Sequence, residues 1–274
     1  MSFPIIEDDF TDVLGKAVRG MDLSRVSLAE RAGVTSGELD KLLSGHFEER
    51  TARKVSEVLN LNPACLAELA NDPERPKTGL PEAVTLHNTA YPVPGYAEMT
   101  VNSYTVLEPG HPEEGILIDA GATLESMQKM QRTAGRGWRL FLTHSHPDHV
   151  VNLGELRHLI TEFYAPAGEP VEGARPVNEG ESFKCGGLLL KALETPGHSP
   201  GGMSYLLEGL ALPVVFVGDA LFCFSMGKVK ENYEAALAAI SKKILGLPEN
   251  TVICPGHGPP STVGFEKKHN PFFA

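Results

Sequence analysis

The chain has 274 residues, enough for one large domain or two unequal ones, with 42% hydrophobic and 22% charged residues. This composition is ordinary for a globular protein and excludes a disordered, collagenous or coiled-coil chain. The formal net charge of −11 disfavours nucleic acid and anionic lipid as partners, because both carry negative charge themselves.

The sequence predicts neither a membrane segment nor a disulfide framework. Its longest apolar stretch, at residues 210–217, is far shorter than the ~20 residues that a membrane helix needs. The N-terminus carries Glu7, Asp8 and Asp9 where a secretion signal would be basic, so we expect no membrane partner and a cytoplasmic location. The cysteines form no CxxC pair and are predicted to be reduced and buried; they are Cys65, Cys185, Cys223 and Cys254.

The first part of the chain has the apolar spacing of helices, from residue 9 to about residue 70. Capping-box patterns at residues 27–30 and 35–38 predict two helix starts. A third start is predicted at Asn62-Pro63, an N-cap followed by proline at the first helical position. This part is therefore predicted to be all-helical.

The tight turn at residues 32–35 between two short helices resembles the helix-turn-helix of the λ-repressor-like family, over residues 10–70. That resemblance implies DNA binding. Residues 1–72, however, carry eight Lys and Arg against thirteen Asp and Glu, a net charge of −5. Because phosphate contacts need cations, we predict no tight DNA binding. A packing role is predicted instead, between subunits of a homo-oligomer or as a lid over the pocket of the second domain.

A linker with three prolines, at residues 71–81, predicts a domain boundary near residue 75, so the domains are 1–75 and 76–274. Beyond it, short apolar runs predict strands at 102–107, 115–119, 139–143, 188–193, 214–218 and 251–254. Helical spacing at 123–131, 150–160 and 233–245 lies between some of them. Strands mixed with helices over about 200 residues predict one α/β domain.

Four polar motifs follow the ends of apolar runs in this second domain. The first is His144-Ser-His146-Pro-Asp148-His149, and the others are His198 in TPGH, Asp219 in GD and His257 in PGHG. So many imidazoles and carboxylates are costly to hold together unless a cation binds them. The pattern therefore predicts a metal site, with zinc as the default ion and with iron and manganese also suited to the ligand types.

The order HxHxDH, GH, GD and GHG resembles the metallo-β-lactamase superfamily over about residues 84–271. The resemblance implies an αββα sandwich with two divalent ions at one edge. It also implies a ligand set: His144, His146 and His198 for one metal, Asp148, His149 and His257 for the other, and Asp219 as the bridge between them.

Two close divalent ions lower the pKa of a shared water, so metal-bound hydroxide is the predicted nucleophile. Asp148 and Asp219 are the predicted catalytic carboxylates, with Asp148 able to accept a proton from the bound water. No general acid stands out in these motifs. A thiolate leaving group, whose conjugate acid has a pKa near ~8.5, needs none, whereas an amide nitrogen would.

Within the superfamily, Gly218-Asp-Ala-Leu-Phe222, the PGHG segment and the C-terminal NPF resemble the glyoxalase II group. That group hydrolyses hydroxyacyl-glutathione thioesters. The resemblance implies that Lys228 contacts the thiol carrier. Lys230 stands where the group often has an aromatic residue and is predicted to bind the substrate as a second cation that attracts an anionic group. A thioester or ester is thus the predicted substrate. The alternatives are a lactonase, a persulfide dioxygenase, whose branch lacks a PGHG-type histidine, and a metabolite-sensing DNA-binding regulator.

Overall fold

A computed structural model of the chain describes residues 4–107, 110, 115–123, 125, 137–229 and 231–274. The helices of this part are α1 (Phe10–Gly20), α2 (Arg25–Ala32), α3 (Ser36–Leu43), α4 (Glu49–Val58), α5 (Pro63–Asn71), α6 (Pro147–Val150), α7 (Leu153–Leu156), α8 (Tyr233–Lys243) and α9 (Val263–His269). A 3-10 turn at Arg157–Leu159 follows α7.

The strands of the described part fall between Val84 and Thr262. They are β1 (Val84–Ala90), β2 (Thr100–Val106), β3 (Gly115–Ile118), β4 (Trp138–Phe141), β5 (Ile160–Pro166), β6 (Arg175–Val177), β7 (Ser182–Cys185), β8 (Leu188–Glu194), β9 (Met203–Glu208), β10 (Val214–Gly218), β11 (Leu221–Phe222), β12 (Ser225–Met226), β13 (Val252–Pro255) and β14 (Ser261–Thr262).

The N-terminal helices begin largely where their capping residues predict. Thr35 and Glu38 form a reciprocal capping box at α3, and Asn62 caps α5 with Pro63 at its first turn. The start predicted for α2 is wrong: the helix begins at Arg25, because the Ser24 side chain caps it by accepting from the backbone N–H of Ser27. The residue pattern at 27–30 therefore lies inside the first turns of the helix.

Two six-stranded mixed sheets form the rest of the fold. The first has the order β1-β2-β3-β4-β5-β6, and the second has the order β14-β13-β10-β9-β8-β7. Strands β3 to β6 run parallel to one another, as do β10 and β13, and the remaining pairs are antiparallel. A short hairpin, β11–β12, forms a separate two-stranded unit.

The apolar core lies between the two sheets. Its cluster joins residues of both, such as Tyr104 and Phe141 of the first sheet and Phe216 of the second. Separate apolar clusters cover the outer faces, one with α6 and α7 on the first sheet and one with α8 on the second. This layering of helix, sheet, sheet and helix agrees with the predicted αββα sandwich. The cysteines Cys65, Cys185, Cys223 and Cys254 are buried, as predicted, and none of them forms a disulfide bond.

All six predicted strands are present, as β2, β3, β4, β8, β10 and β13, with ends shifted by up to two residues. The helix predicted over 150–160 is wrong in extent. The helix α6 ends at Val150, where the predicted helix begins. The four-residue helix α7 and a 3-10 turn follow, and the strand β5 starts at Ile160. Most of the helix predicted over 123–131 lies outside the described residues.

The N-terminal helices pack against the sandwich. Their apolar cluster includes Cys223 and Phe224, which follow the β11 strand. Lys16 on α1 donates to the carbonyl oxygen of Met226 at 2.8 Å, and its ammonium lies 4.9 Å from the centre of the Phe222 ring. These contacts place α1 beside the edge of the sandwich at which β10 and β11 end. None of the described helices is both long and apolar enough to cross a bilayer.

Candidate metal centre

The four predicted motifs meet at one edge of the sandwich. His144 and His146 follow β4 and lead into α6, which carries Asp148 and His149. Three loops supply the other side chains: His198 follows β8, Asp219 follows β10, and His257 follows β13. Because β10 and β13 are parallel neighbours, their carboxyl ends open at the same edge.

One cluster joins the imidazoles of His144, His146 and His198. The His198 Nε2 and His146 Nδ1 atoms lie 2.8 Å apart. His198 and His146 are partly exposed, whereas His144 is buried. Three imidazoles with converging nitrogens and an accessible side form the kind of ligand set that keeps one position open for water or substrate.

A second cluster joins Asp148, His149 and His257, all of them buried. His257 Nε2 lies 3.2 Å from Asp148 Oδ2, and His149 Nε2 lies 3.7 Å from the same oxygen. Asp219 stands between the clusters: its Oδ2 is 3.3 Å from both His198 Nε2 and His257 Nε2. Its Oδ1 is 3.2 Å from His149 Nε2. The structure thus brings all seven predicted ligand residues together.

Buried atoms without hydrogen-bond partners test whether this arrangement fits a cation. His144 Nε2, His149 Nε2, His198 Nδ1 and Asp219 Oδ1 are buried and make no hydrogen bond. An unpaired buried polar atom costs about 1–3 kcal/mol, so several at one point are unfavourable unless something binds them. Two of these atoms are Nε2 nitrogens of neighbouring imidazoles, which are the donors that divalent transition metals prefer. The residues present fit a divalent metal.

The pKa values of His144 and His149 also agree with a bound cation. Burial and the neighbouring His149 ring hold the pKa of His144 well below 6.5, so that imidazole is neutral and its lone pair is available. Burial alone would lower the pKa of His149 as well, but the carboxylates of Asp119 and Asp219 outweigh it and raise the pKa to about 10. The carboxylates therefore favour a positive charge at His149, and a bound cation would supply that charge.

Three residues that the sequence reasoning missed orient the imidazoles. Asp119 Oδ2 lies 2.8 Å from His149 Nδ1 and accepts a hydrogen bond from the Thr143 hydroxyl, also at 2.8 Å. The same hydroxyl lies 3.0 Å from His144 Nδ1, and His257 Nδ1 lies 2.7 Å from the carbonyl oxygen of Thr100. Partners on the second ring nitrogen fix the tautomer and the direction of a metal-ligating histidine. A polar side chain directly after strand β3 was the available signal for Asp119.

Gly218 and Gly256 are required by close packing at the centre. Gly218 has φ +48°, and a Cβ there would collide with the Thr143 hydroxyl. A Cβ on Gly256 would collide with the Asp219 carboxylate and lie 2.7 Å from the His149 ring. These glycines let the loops of Asp219 and His257 approach the α6 side chains closely.

A cavity of about 370 Å³ adjoins the first cluster. His146 and His198 line it together with Pro196, Pro200 and Ala235. Among the predicted substrate contacts, Lys228 is exposed and follows Gly227, which packs against the His198 side chain and the Asp219 backbone. Lys230 lies outside the described residues.

The N-terminal segment touches the His257 side of the centre. A Cβ on Gly258 would lie 3.3 Å from the backbone nitrogen of Glu7, and the Glu7 carboxylate is 4.0 Å from His257 Nδ1. Lys16 pairs with Asp8 in the same segment. The residues before α1 therefore form part of the surroundings of His257, which the sequence did not indicate.

Comparison with known proteins places the chain in one family. The sequence profile of the Metallo-beta-lactamase superfamily matches residues 97–257, more than half of the chain. The hydroxyacylglutathione hydrolase of Cronobacter sakazakii (strain ATCC BAA-894) is 31% identical over 172 residues, which cover 58% of this chain and 66% of that protein, just under two thirds.

Two solved structures have the same fold over most of the sandwich. ETHE1 from Myxococcus xanthus matches with a TM-score of 0.56 and 25% identity, over 68% of this chain and 83% of that one. TTHA1623, solved in a di-iron-bound form, matches with a TM-score of 0.51 and 29% identity, over 66% of this chain and 99% of that one. With the matched region spanning the motifs from His144 to His257, the chain belongs to the metallo-β-lactamase superfamily.

Proposed function

We propose that the chain is a binuclear metal-dependent hydrolase of thioesters, similar in activity to hydroxyacylglutathione hydrolase. The observation that carries this proposal is the convergence of five imidazoles and two carboxylates, several with buried, unpartnered atoms, beside an open cavity. The similarity to the Cronobacter sakazakii hydrolase supports the choice of substrate class.

In this proposal, each of two ligand sets would hold one ion. His144, His146 and His198 would hold the first, and Asp148, His149 and His257 would hold the second. Asp219 would serve both sites, because its two oxygens face histidines of both clusters at 3.2–3.3 Å. Zinc is the default by ligand type, and iron or manganese suits the same donors.

Divalent ions bound here would supply a water of lowered pKa and a positive charge for the developing oxyanion. The residues of the chain contribute position and proton transfer. Burial would raise the pKa of Asp148, but the contacts with His257 and His149 outweigh it and hold that pKa below 3.8. Its carboxylate is therefore ionised at neutral pH, and Asp148 Oδ2 is an acceptor for a proton from the attacking water. A thiolate then leaves without an acid.

The substrate would enter through the cavity beside His146 and His198. Its volume of about 370 Å³ lies within the range of small-molecule sites and suits a small acyl group. Lys228 is proposed to contact an anionic thiol carrier, since it is an exposed cation one residue from Gly227 at the centre.

The test is metal analysis of the purified chain combined with turnover of lactoylglutathione, other thioesters and a panel of lactones. We expect about two metal ions per chain and the highest kcat/KM on a thioester. His198→Ala is the matched variant for the first cluster and should lose one ion and most of the activity. His158→Ala, at an exposed position outside the site, is the control and should change neither.

Three results would contradict the proposal. Turnover of lactones with none of thioesters would assign a different substrate class. Consumption of oxygen during turnover would make the protein an oxygenase rather than a hydrolase. Full activity in His198→Ala would place the chemistry outside this centre.

A further inference from the structure

The imidazoles of the candidate centre are supported unequally. His144, His149 and His257 each have a partner on the second ring nitrogen, respectively Thr143, Asp119 and the carbonyl of Thr100. Among the described residues, the His146 and His198 rings form a hydrogen bond only with each other, at 2.8 Å. Their directions must therefore be set by the loops that carry them.

One buried carboxylate ties those two loops together. Glu169 lies in the turn after β5 and is 9% exposed. Its Oε2 accepts from the backbone N–H of Ser145 at 2.7 Å and from the Ser145 hydroxyl at 2.8 Å. Its Oε1 accepts from the backbone N–H of Gly201 at 3.0 Å. Ser145 separates His144 from His146, and Gly201 lies three residues after His198.

Close backbone packing shows that this contact is built into the fold. A Cβ on Gly168 would lie 2.9 Å from the Cα of Gly201, and a Cβ on Gly201 would lie 2.7 Å from the carbonyl carbon of Gly168. The turn that contains Glu169 therefore packs directly against the loop that contains His198. Burial would raise the pKa of Glu169, but the hydrogen bonds that it accepts from Ser145 and Gly201 outweigh this effect and lower the pKa, so the carboxylate is ionised. A charged acceptor makes stronger hydrogen bonds than a neutral one.

We propose that Glu169 is a positioning residue for the first metal site, which holds the loops of His146 and His198 at the spacing that this site needs. The inference rests on the ligand set given under the proposed function. It predicts a selective effect, because the second cluster has its own supports in Asp119 and Thr100. Replacing Glu169 should weaken binding of the first ion and leave the second in place.

The experiment measures metal affinity by chelator competition and metal content by elemental analysis in the full chain. For Glu169→Gln we expect the affinity for the ion at the first site to fall by about ten- to hundredfold, the usual effect of losing an outer-sphere partner. Glu169→Asp, which keeps the charge, should recover part of this loss. Glu172→Gln, an exposed carboxylate in the same region, is the matched control and should bind both ions as the parent does.

Double variants identify the affected site. In His198→Ala, which already lacks the first ion, adding Glu169→Gln should change the metal content little. In His257→Ala, which keeps only the first ion, adding it should weaken binding of that ion by the same ten- to hundredfold. If Glu169→Gln does not fold, as judged by circular dichroism, Ser145→Ala removes one of the three hydrogen bonds and should weaken the same ion to a smaller extent.

Wild-type metal affinity in a folded Glu169→Gln variant would overturn the inference, even if the melting temperature fell, because the residue would then act on stability alone. Equal weakening of both ions would overturn it too. A parent chain that binds two ions but hydrolyses no thioester would instead refute the proposed substrate class and leave this inference standing.

Discussion

At the scale of single residues, the centre depends on side chains that face each other across separate loops. Asp119 illustrates this, because one carboxylate receives the backbone N–H of Thr143, the hydroxyl of Thr143 and the ring of His149. It adopts φ +58°, which is uncommon for a residue other than glycine. A single position thus links the end of β3 with the end of β4 and with α6.

Asp219→Ala is predicted to remove most activity and to weaken retention of at least one ion. The physical reason is that Asp219 supplies the negative charge that lies between His149, His198 and His257. Without it, two cations would face each other without a bridging anion. Metal content and kcat should be measured on the same preparation. Full metal content with an unchanged kcat would rule out a binuclear site bridged by this residue.

Lys228→Ala is predicted to raise KM for glutathione thioesters several-fold and to leave kcat nearly unchanged. An exposed cation that binds the carrier uniformly stabilises the ground state and the transition state equally. Steady-state kinetics on lactoylglutathione and on a small uncharged thioester separate the outcomes. An equal loss on both substrates would show that the lysine supports the site and does not bind the carrier.

At the scale of elements, α9 fastens the β11–β12 hairpin next to the centre. Glu266 on α9 is fully buried and accepts from the backbone N–H of Phe224 at 3.1 Å and from the Asn270 amide at 2.9 Å. That amide also donates to the carbonyl of Ser225 at 2.9 Å. The Asn-Pro-Phe segment of the sequence is thereby given a structural role: its asparagine ties α9 to the turn between β11 and β12.

Stability is predicted to fall as the pH rises from about 4.5 to about 7, because of Glu266. Burial outweighs its hydrogen bonds and raises its pKa from 4.5 to about 7. Between these pH values the folded chain keeps a proton that the unfolded chain releases. The stabilisation that protonated Glu266 contributes to the folded state is therefore complete below pH 4.5 and is lost toward pH 7. The free energy of unfolding falls by about 3 kcal/mol at most, because a difference in pKa between the folded and unfolded chains is a difference in free energy.

Glu266→Gln should remove the pH dependence that Glu266 causes, so the unfolding free energy should change less with pH than in the parent. Urea denaturation at several pH values measures it. Glu249→Gln, which alters an exposed carboxylate near the same helix, is the control and should keep the slope of the parent. Identical slopes for the parent and Glu266→Gln would show that Glu266 is ionised throughout this range.

At the scale of the whole molecule, the N-terminal helices and the sandwich are joined by several contacts. The backbone N–H of Asn62 donates to the carbonyl of Pro271 at 2.7 Å, and His269 Nδ1 lies 2.9 Å from the Glu68 carboxylate. The exposed face of α3 carries Glu38, Asp40 and Lys41. Arg25, on the neighbouring α2, already pairs with Asp40 at 3.1 Å.

The full chain is predicted to bind mixed duplex DNA more weakly than about 1 μM, within the range of non-specific binding. Counterion release needs cations against the phosphates, and this surface presents carboxylates instead. Fluorescence titration at two salt concentrations tests this, with the Glu38→Lys, Asp40→Lys double variant as a matched comparison that should bind more tightly. Submicromolar binding by the parent with a steep salt slope would favour the regulator hypothesis.

The amino-acid sequence alone indicated the type of fold and the residues that meet at the candidate centre. These residues carry the information locally, because each of their four motifs contains a glycine or a proline and follows an apolar run; the residues are His144 to His149, His198, Asp219 and His257. The capping residues of α3 and α5 could also be predicted from local sequence, because a cap acts within the first turn of its own helix. The predicted boundary near residue 75 remains a prediction.

The residues that support the centre became apparent only from the folded arrangement of the chain. Asp119 reaches His149 across 30 residues of sequence, Glu169 reaches Gly201 across 32, and the Thr100 carbonyl reaches His257 across 157. Such partners leave no periodic signal, because their positions depend on how two sheets and their loops pack. The helix predicted over 150–160 does not form as one piece for the same reason. The chain must turn after α6 to reach β5, and the position of β5 is set by its pairing with β4 in the sheet.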